Sequence, residues 1–206
     1  MSGDAPPSAP GGVALLVIDM LNDLTFPQAG ELVTCAPRIA DRIAGLRAAA
    51  DAVGCPVVYV NDNYGQWHWG RQQIVDHSRR DESRGRDMAE RLAPRDQDFF
   101  VVKPQFSGFY ATTLPAILPR LGVRRLILTG IAADICVLFT AADAHMREYD
   151  IWVPEDAVAS EDRQRTDWAL EIMRNGMAAE TRASDALSIE DWIGSLNRGA
   201  PEPEPG

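Results

Sequence analysis

The sequence predicts an α/β protein of three layers, with a mostly parallel sheet covered by helices on both faces. Three observations predict it. Short apolar runs of strand length recur along the chain, segments with apolar residues at helical spacing lie between them, and Gly and Pro mark the changes of period. Alternation of this kind requires right-handed crossovers between parallel strands, which places the helices on the two faces of the sheet.

The first strand is expected at Val13 to Asp19, where Val13-Ala14-Leu15-Leu16-Val17-Ile18 leaves no polar side chain before the terminal carboxylate. Pro37 to Val53 carries Ile39, Ile43, Leu46 and Val53 on one helical face, opens at a proline and stops at Gly54, as an N1 proline and a C′ glycine would have it. Pro56 to Asn61 is the second strand and Phe99 to Lys103 the third. Thr112 to Leu121 reads as a helix, Arg125 to Thr129 as a buried strand ended by Gly130, and Ile135 to Arg147 as a helix through Val137, Leu138, Ala141 and Ala142. Ile151 to Pro154, a helix over Asp162 to Asn175, a weaker strand at Ala178 to Thr181 and a closing helix at Ile189 to Leu196 complete the pattern. No internal repeat is visible.

A chain of 206 residues fits one domain, expected over residues 13–197. Residues 1–12, rich in Pro, Gly, Ser and Ala, and the Pro/Glu tail at 198–206 are expected to be flexible, because neither offers enough apolar surface to offset ordering entropy. The net charge of −10 argues against a nucleic-acid or anionic-membrane surface, which needs clustered Lys and Arg. Arg79, Arg80, Arg84 and Arg86 alternate with Asp81, Glu82 and Asp87 and read as a solvated face. No apolar run approaches the ~20 residues that span a bilayer. Cys35, Cys55 and Cys136 are an odd count without metal-type spacing, so neither a disulfide framework nor a zinc site is indicated, and a reducing cytoplasm is the expected location.

Chemistry concentrates at three strand ends. Asp19 closes the first strand, Lys103 the third, and Cys136 follows the fourth by a few residues, in what reads as the first turn of a helix. Ligands of open parallel sheets bind in the crevice outside the carboxyl ends of the strands. A helix start favours a thiolate and any oxyanion formed beside it. Each residue also has a plainer role: a free cysteine is often a small buried hydrophobe, an Asp at a strand end can cap the next helix or loop, and a lysine can snorkel. Cys55, between Gly54 and Pro56, is read as packing. His145 lies too late in its helix to serve Cys136. The stretch from Asp62 to Asp98, with Trp67, His68, Trp69 and His77, is too long for a simple crossover and is expected to cap the site.

Three segments resemble the isochorismatase-like cysteine hydrolases, a family that includes nicotinamidases and related amidases: Leu16-Val17-Ile18-Asp19-Met20-Leu21-Asn22-Asp23; Lys103-Pro104-Gln105-Phe106-Ser107-Gly108-Phe109 with Thr112 and Leu114; and Gly130 through Val137. With their spacing they cover the chain from Val13 to about Leu196. The resemblance implies a six-stranded sheet of order 3-2-1-4-5-6 and a catalytic triad of Asp19, Lys103 and Cys136. It further implies a cis peptide at Ile131-Ala132, with an oxyanion hole from the amides of Ala132 and Cys136. The implied reaction is hydrolysis of an amide or carbamoyl C–N bond of a small molecule through a Cys136 thioester, by a homodimer or higher homo-oligomer.

Candidate substrate-binding residues are Phe26, Asn61, Asn63, Trp67 and Phe106, although Phe26, Trp67 and Trp69 suit packing equally well. Nicotinamidases carry a metal-binding Asp-x-His set after the second strand. Here the sequence is Asn61-Asp62-Asn63-Tyr64, with tyrosine where the first histidine would stand. No metal or other cofactor is therefore expected. Two alternatives remain: a nicotinamidase with a metal at Asp62, helped by His68 and His77, and a catalytically silent ligand-binding protein of the same fold. For self-association the expected surface is the helix face bearing Trp168, Ile172 and Met173.

Overall fold

The computed structural model describes residues 8–194. Residues 1–7 of the expected flexible lead, the 198–206 tail and the expected helix end at Leu196 lie outside the described residues. The strands are β1 (Val13–Ile18), β2 (Val57–Asp62), β3 (Phe99–Lys103), β4 (Arg125–Ile131), β5 (Asp150–Trp152) and β6 (Val158–Ala159). They form a six-stranded sheet ordered β3-β2-β1-β4-β5, with β6 paired to β4 and every pairing parallel. Every side chain of β1 is buried, as a strand covered on both faces requires. Alternation sorts them: Val13, Leu15 and Val17 enter one core, Ala14, Leu16 and Ile18 the other.

The first core is covered by α1 (Gly30–Ala52), α2 (Arg71–Ser78) and α3 (Arg86–Arg91), with α7 (Ile189–Gly194) closing its rim; the second by α4 (Leu114–Arg120), α5 (Leu138–His145) and α6 (Arg163–Met177). Among the described residues no helix is long and apolar enough to cross a membrane.

Several expected boundaries move. α1 starts seven residues before Pro37, because Leu32 and Ala36 extend the buried face of Ile39, Ile43 and Leu46 backwards. Pro37 then sits inside the helix, where it removes only the N–H that would reach the Val33 carbonyl. The other end is as expected: Gly54, at φ 70°, donates to Asp51 O at 3.1 Å while Cys55 N–H reaches Ala50 O at 2.8 Å, a Schellman closure. The weak strand at Ala178 to Thr181 is reduced to one parallel bridge, Trp152 to Glu180, because Ala178 takes a left-handed φ of 51° to end α6. β6 supplies the remaining strand, beside the end of β4. Residues 8–12 are tied down, with Ala9 N–H bonded to Leu121 O and Arg124 N–H to Gly12 O, each at 2.7 Å. The 62–98 excursion is less polar in effect than in sequence, since Ile74, Val75, Met88, Ala89 and Leu92 join the first core.

Gly130 shows how closely β4 lies on β1. It pairs with Ile18 and takes φ 116°, and a Cβ there would fall 1.9 Å from Ile18 O. Gly130→Ala should therefore destabilise by more than about 3 kcal/mol, read as a fall in the urea midpoint. A midpoint within error of the parent would show that the strands can separate there.

Candidate active site

Asp19 follows β1 directly. Its N–H continues the ladder to Val60 O at 3.0 Å, and its φ of 52° then turns the chain, a left-handed value that Asp tolerates better than a branched residue. The side chain is buried. Oδ2 lies 2.8 Å from Lys103 Nζ, and Oδ1 accepts the Asp62 N–H at 2.7 Å. Because β2 separates β1 from β3, the ion pair reaches across one strand and the middle strand contributes the amide between them.

Lys103 ends β3 and is 1% exposed. Its ammonium has three donors and three partners: Asp19 Oδ2, Gln105 O at 3.2 Å and Cys136 Sγ at 3.4 Å. Burial disfavours its charge, but the Asp19 carboxylate, the Cys136 sulfur and Asp62 outweigh that, so its pKa lies above the ordinary lysine value. It is a fixed cation.

Cys136 arrives from β4 through a cis peptide at Ile131-Ala132. The expected α-helical first turn is instead a wider π turn over Ala133–Val137, in which Val137 N–H reaches back to Ala132 O at 3.1 Å; α5 begins only at Leu138. The electrostatic expectation changes too. Burial raises the Cys136 pKa, the Asp19 carboxylate and its hydrogen bond raise it further, and Lys103 only partly opposes them, so the resting group is a neutral thiol.

This chain matches the sequence profile of the isochorismatase domain family over residues 13–185. It belongs to the isochorismatase family. Its relatives in that family include the uncharacterized protein YaaI of Bacillus subtilis (strain 168), 38% identical over 84% of this chain and 95% of the relative. The ureidoacrylate amidohydrolase RutB of Caulobacter vibrioides is 30% identical over 73% of this chain and 78% of its own. Among solved structures, N-carbamoylsarcosine amidase from Thermoplasma acidophilum superposes with a TM-score of 0.65 at 31% identity, covering 85% of this chain and 98% of that one.

Other candidate residues of this isochorismatase-family chain divide into those near the cluster and those with different duties. Asn61 is committed to the backbone: it accepts from Leu21 N–H at 3.1 Å and donates to Leu21 O at 3.0 Å, fixing the loop after Asp19. Asn63 accepts from Gly65 N–H at 2.9 Å in a tight turn. Phe26 packs on the first core, and Trp67 is 78% exposed. Phe106 is half-exposed and lies one residue beyond Gln105, whose carbonyl touches Lys103.

The metal that likeness to nicotinamidases implies finds no fitting donors. Asp62 Oδ2 accepts from Tyr64 N–H at 2.9 Å, the Tyr64 hydroxyl donates to Leu21 O at 2.7 Å, His68 is exposed, and His77 Nε2 lies 3.0 Å from Asp23 Oδ2. Among the described residues no three His, Cys, Asp or Glu side chains come together in a metal-holding group.

Two contacts that sequence patterns do not reveal hold the cysteine turn. Asp134 N–H donates to Ser160 Oγ at 3.1 Å, and its carboxylate takes Arg165 Nε at 2.6 Å. The partners are 26 and 31 residues away, and the only local signal nearby is the Asp162 cap of α6, which accepts from Arg165 N–H at 2.9 Å.

The thiol's environment makes a signed expectation for alkylation. Native Cys136 should react with iodoacetamide more slowly at pH 7 to 8 than an ordinary cysteine. Asp19→Asn removes a carboxylate that raises the thiol pKa and should speed the reaction, and Lys103→Ala should slow it further. Equal rates in all three, measured against pH, would refute this electrostatic account.

Proposed function

We propose that this chain hydrolyses an amide or carbamoyl C–N bond of a small molecule through a thioester on Cys136. In its broad class it is an isochorismatase-family hydrolase acting on amides. The observation that carries the finer reading is the contiguous set Cys136 Sγ, Lys103 Nζ and Asp19 Oδ2, linked at 3.4 and 2.8 Å. A cysteine that merely packed would gain nothing from a buried ammonium.

The chemistry follows from the resting protonation states. Cys136 is neutral, so it needs a base as it attacks. Asp19 accepts its proton while Sγ bonds to the carbonyl carbon, and the resulting oxyanion is met by the backbone amides of Ala132 and Cys136. Asp19 then passes the proton to the departing amine as the C–N bond breaks. Water, deprotonated by Asp19, attacks the thioester, and the proton returns to sulfur as the acid leaves. Lys103 orients Asp19 and offsets negative charge as it moves from carboxylate to sulfur. No step is routed through a metal, since the residues near Asp62 do not form a donor set. Ureidoacrylate amidohydrolase and N-carbamoylsarcosine amidase, by their names, act on C–N bonds, which supports the carbamoyl branch. Free Cys35, Cys55 and Cys136 suit a reducing cytoplasm.

Cys136→Ser should fold as the parent does and lose turnover, while Asp19→Asn should cost ~10²–10⁴ in kcat, the usual worth of a positioned proton-transfer group. Ammonia release from a panel of small amides, ureas and N-carbamoyl compounds reads both. Parent-like turnover by Cys136→Ser would rule out the thioester.

We further propose self-association through the α6 face. Trp168 and Ile172 are exposed, whereas Met173, expected beside them, is buried in the second core and takes no part. Sedimentation should give a multiple of the 22.6 kDa chain mass. A monomer mass would reject the interface.

A further inference from the structure

We propose that Thr140 is a positioning residue for the reaction: its hydroxyl ties the segment after Lys103 to the helix that follows Cys136, and so holds the ammonium against the sulfur. The inference rests on the hydrolase reading above and adds a residue to it.

The ammonium depends on a carbonyl outside the sheet. β3 ends at Lys103, and one of the three Nζ partners, Gln105 O at 3.2 Å, belongs to the chain beyond it. Pro104 has no N–H to donate, and Gln105 and Phe106 are exposed. The carbonyl is therefore steadied by whatever fixes the next residues. Ser107, Gly108 and Phe109 turn inward and are buried.

The element that fixes them is α5. Gly108 N–H donates to Thr140 Oγ1 at 2.9 Å, and Ser107 Oγ donates to Asp143 Oδ2 at 2.5 Å while accepting the Phe109 N–H at 3.1 Å. Thr140 and Asp143 stand three residues apart on one face of the helix. Gly108 is also held from other sides. Thr112 Oγ1 donates to its carbonyl at 2.5 Å, and a Cβ there would fall 2.8 Å from Val60 Cγ1 of β2. Thr140 itself is fully buried, on a helix whose Ala141 and Ala144 enter the second core. A hydroxyl in such surroundings is costly unless bonded, and the Gly108 N–H provides the bond.

α5 continues directly from the π turn over Ala133–Val137, so Thr140 lies four residues beyond Cys136 on one helical run. The sulfur and the acceptor that orients the ammonium are thereby anchored to the same element. With the tie cut, the Gln105 carbonyl drifts and Nζ moves with it, giving up its weakest contact first. That contact is Cys136 Sγ, a neutral thiol at 3.4 Å, rather than the Asp19 carboxylate at 2.8 Å. Lys103 favours ionisation of the thiol, so its retreat leaves the sulfur harder to deprotonate and less reactive. Loosened packing without this coupling would do the opposite, opening the sulfur to reagent.

The test uses the full chain. Thr140→Val stays close in shape and removes the acceptor. Labelling of Cys136 by iodoacetamide at pH 8, followed by mass spectrometry, should slow about tenfold in that variant, and kcat on an amide of the panel above should fall about ten- to hundredfold with KM within about twofold. Thr140→Ser, which keeps the hydroxyl, should stay within about twofold of the parent in all three. Faster labelling in Thr140→Val, parent-like labelling and kcat in it, or a Thr140→Ser as impaired as Thr140→Val would overturn the proposal. Should Thr140→Val fail to fold, Ser107→Ala, which cuts the neighbouring tie to Asp143, should slow labelling about threefold, and a parent-like rate there would overturn it. Slower labelling in Thr140→Val, restored by Thr140→Ser, in a protein that turns over no amide would support the tie and overturn the hydrolase reading instead.

Discussion

A buried lysine and a buried aspartate, each costly to remove from water alone, are stable here only because Lys103 Nζ and Asp19 Oδ2 are 2.8 Å apart and both keep further hydrogen bonds. That requirement reaches through the sheet. Asp19 ends β1 and Lys103 ends β3, so the pair forms only if β2 lies between them in parallel register and stops where its last amide, at Asp62, can reach Asp19 Oδ1. Three neighbouring strands, from segments far apart along the chain, meet in one ion pair. Removing either charge would leave the other buried and unpaired, so the residues proposed for catalysis also bear on stability.

The fourth strand brings the sulfur to that pair. β4 lies so close to β1 that Gly130 has no room for a Cβ, and the cis peptide and π turn beyond it carry the chain to Cys136. The turn is held from outside by Ser160 and Arg165, through Asp134. Position and protonation are thereby separated. The fold places Sγ against an ammonium, yet burial and the neighbouring carboxylate keep it a thiol, so in the proposed reaction the base must act at the moment of attack.

Around this fixed centre the loops differ in how firmly they are held. The segment after β1 is anchored by Asn61 and Tyr64 on Leu21, and by Asp23, whose carboxylate meets His77 and Arg80 of the excursion. Burial raises the pKa of Asp23, but bonds from Thr25, His77 and Arg80 outweigh it and hold the carboxyl below its usual value. Phe106, Tyr110 and Phe139, by contrast, are open to solvent.

The strands and most helices were legible in sequence because their apolar residues repeat at periods of two and 3.6, a property of neighbouring residues that tertiary contacts reinforce. The pattern of Leu32 and Ala36 was also present, but Pro37 masked it as a helix start. Asp19, Lys103 and Cys136 were legible as residues at strand ends and through a family likeness. Their separations, the neutral thiol and the third hydrogen bond to Gln105 were not, since these depend on burial and on strands brought together across the sheet. The bonds of Asn61 to Leu21 and the exposure of Trp67 were not legible either, because a side chain's partners are chosen by the packed neighbourhood. Sequence by itself determined the order of elements, the fold class and which groups could carry chemistry; tertiary structure alone decided protonation, partners and exposure, which arise from distance and desolvation rather than from residue type.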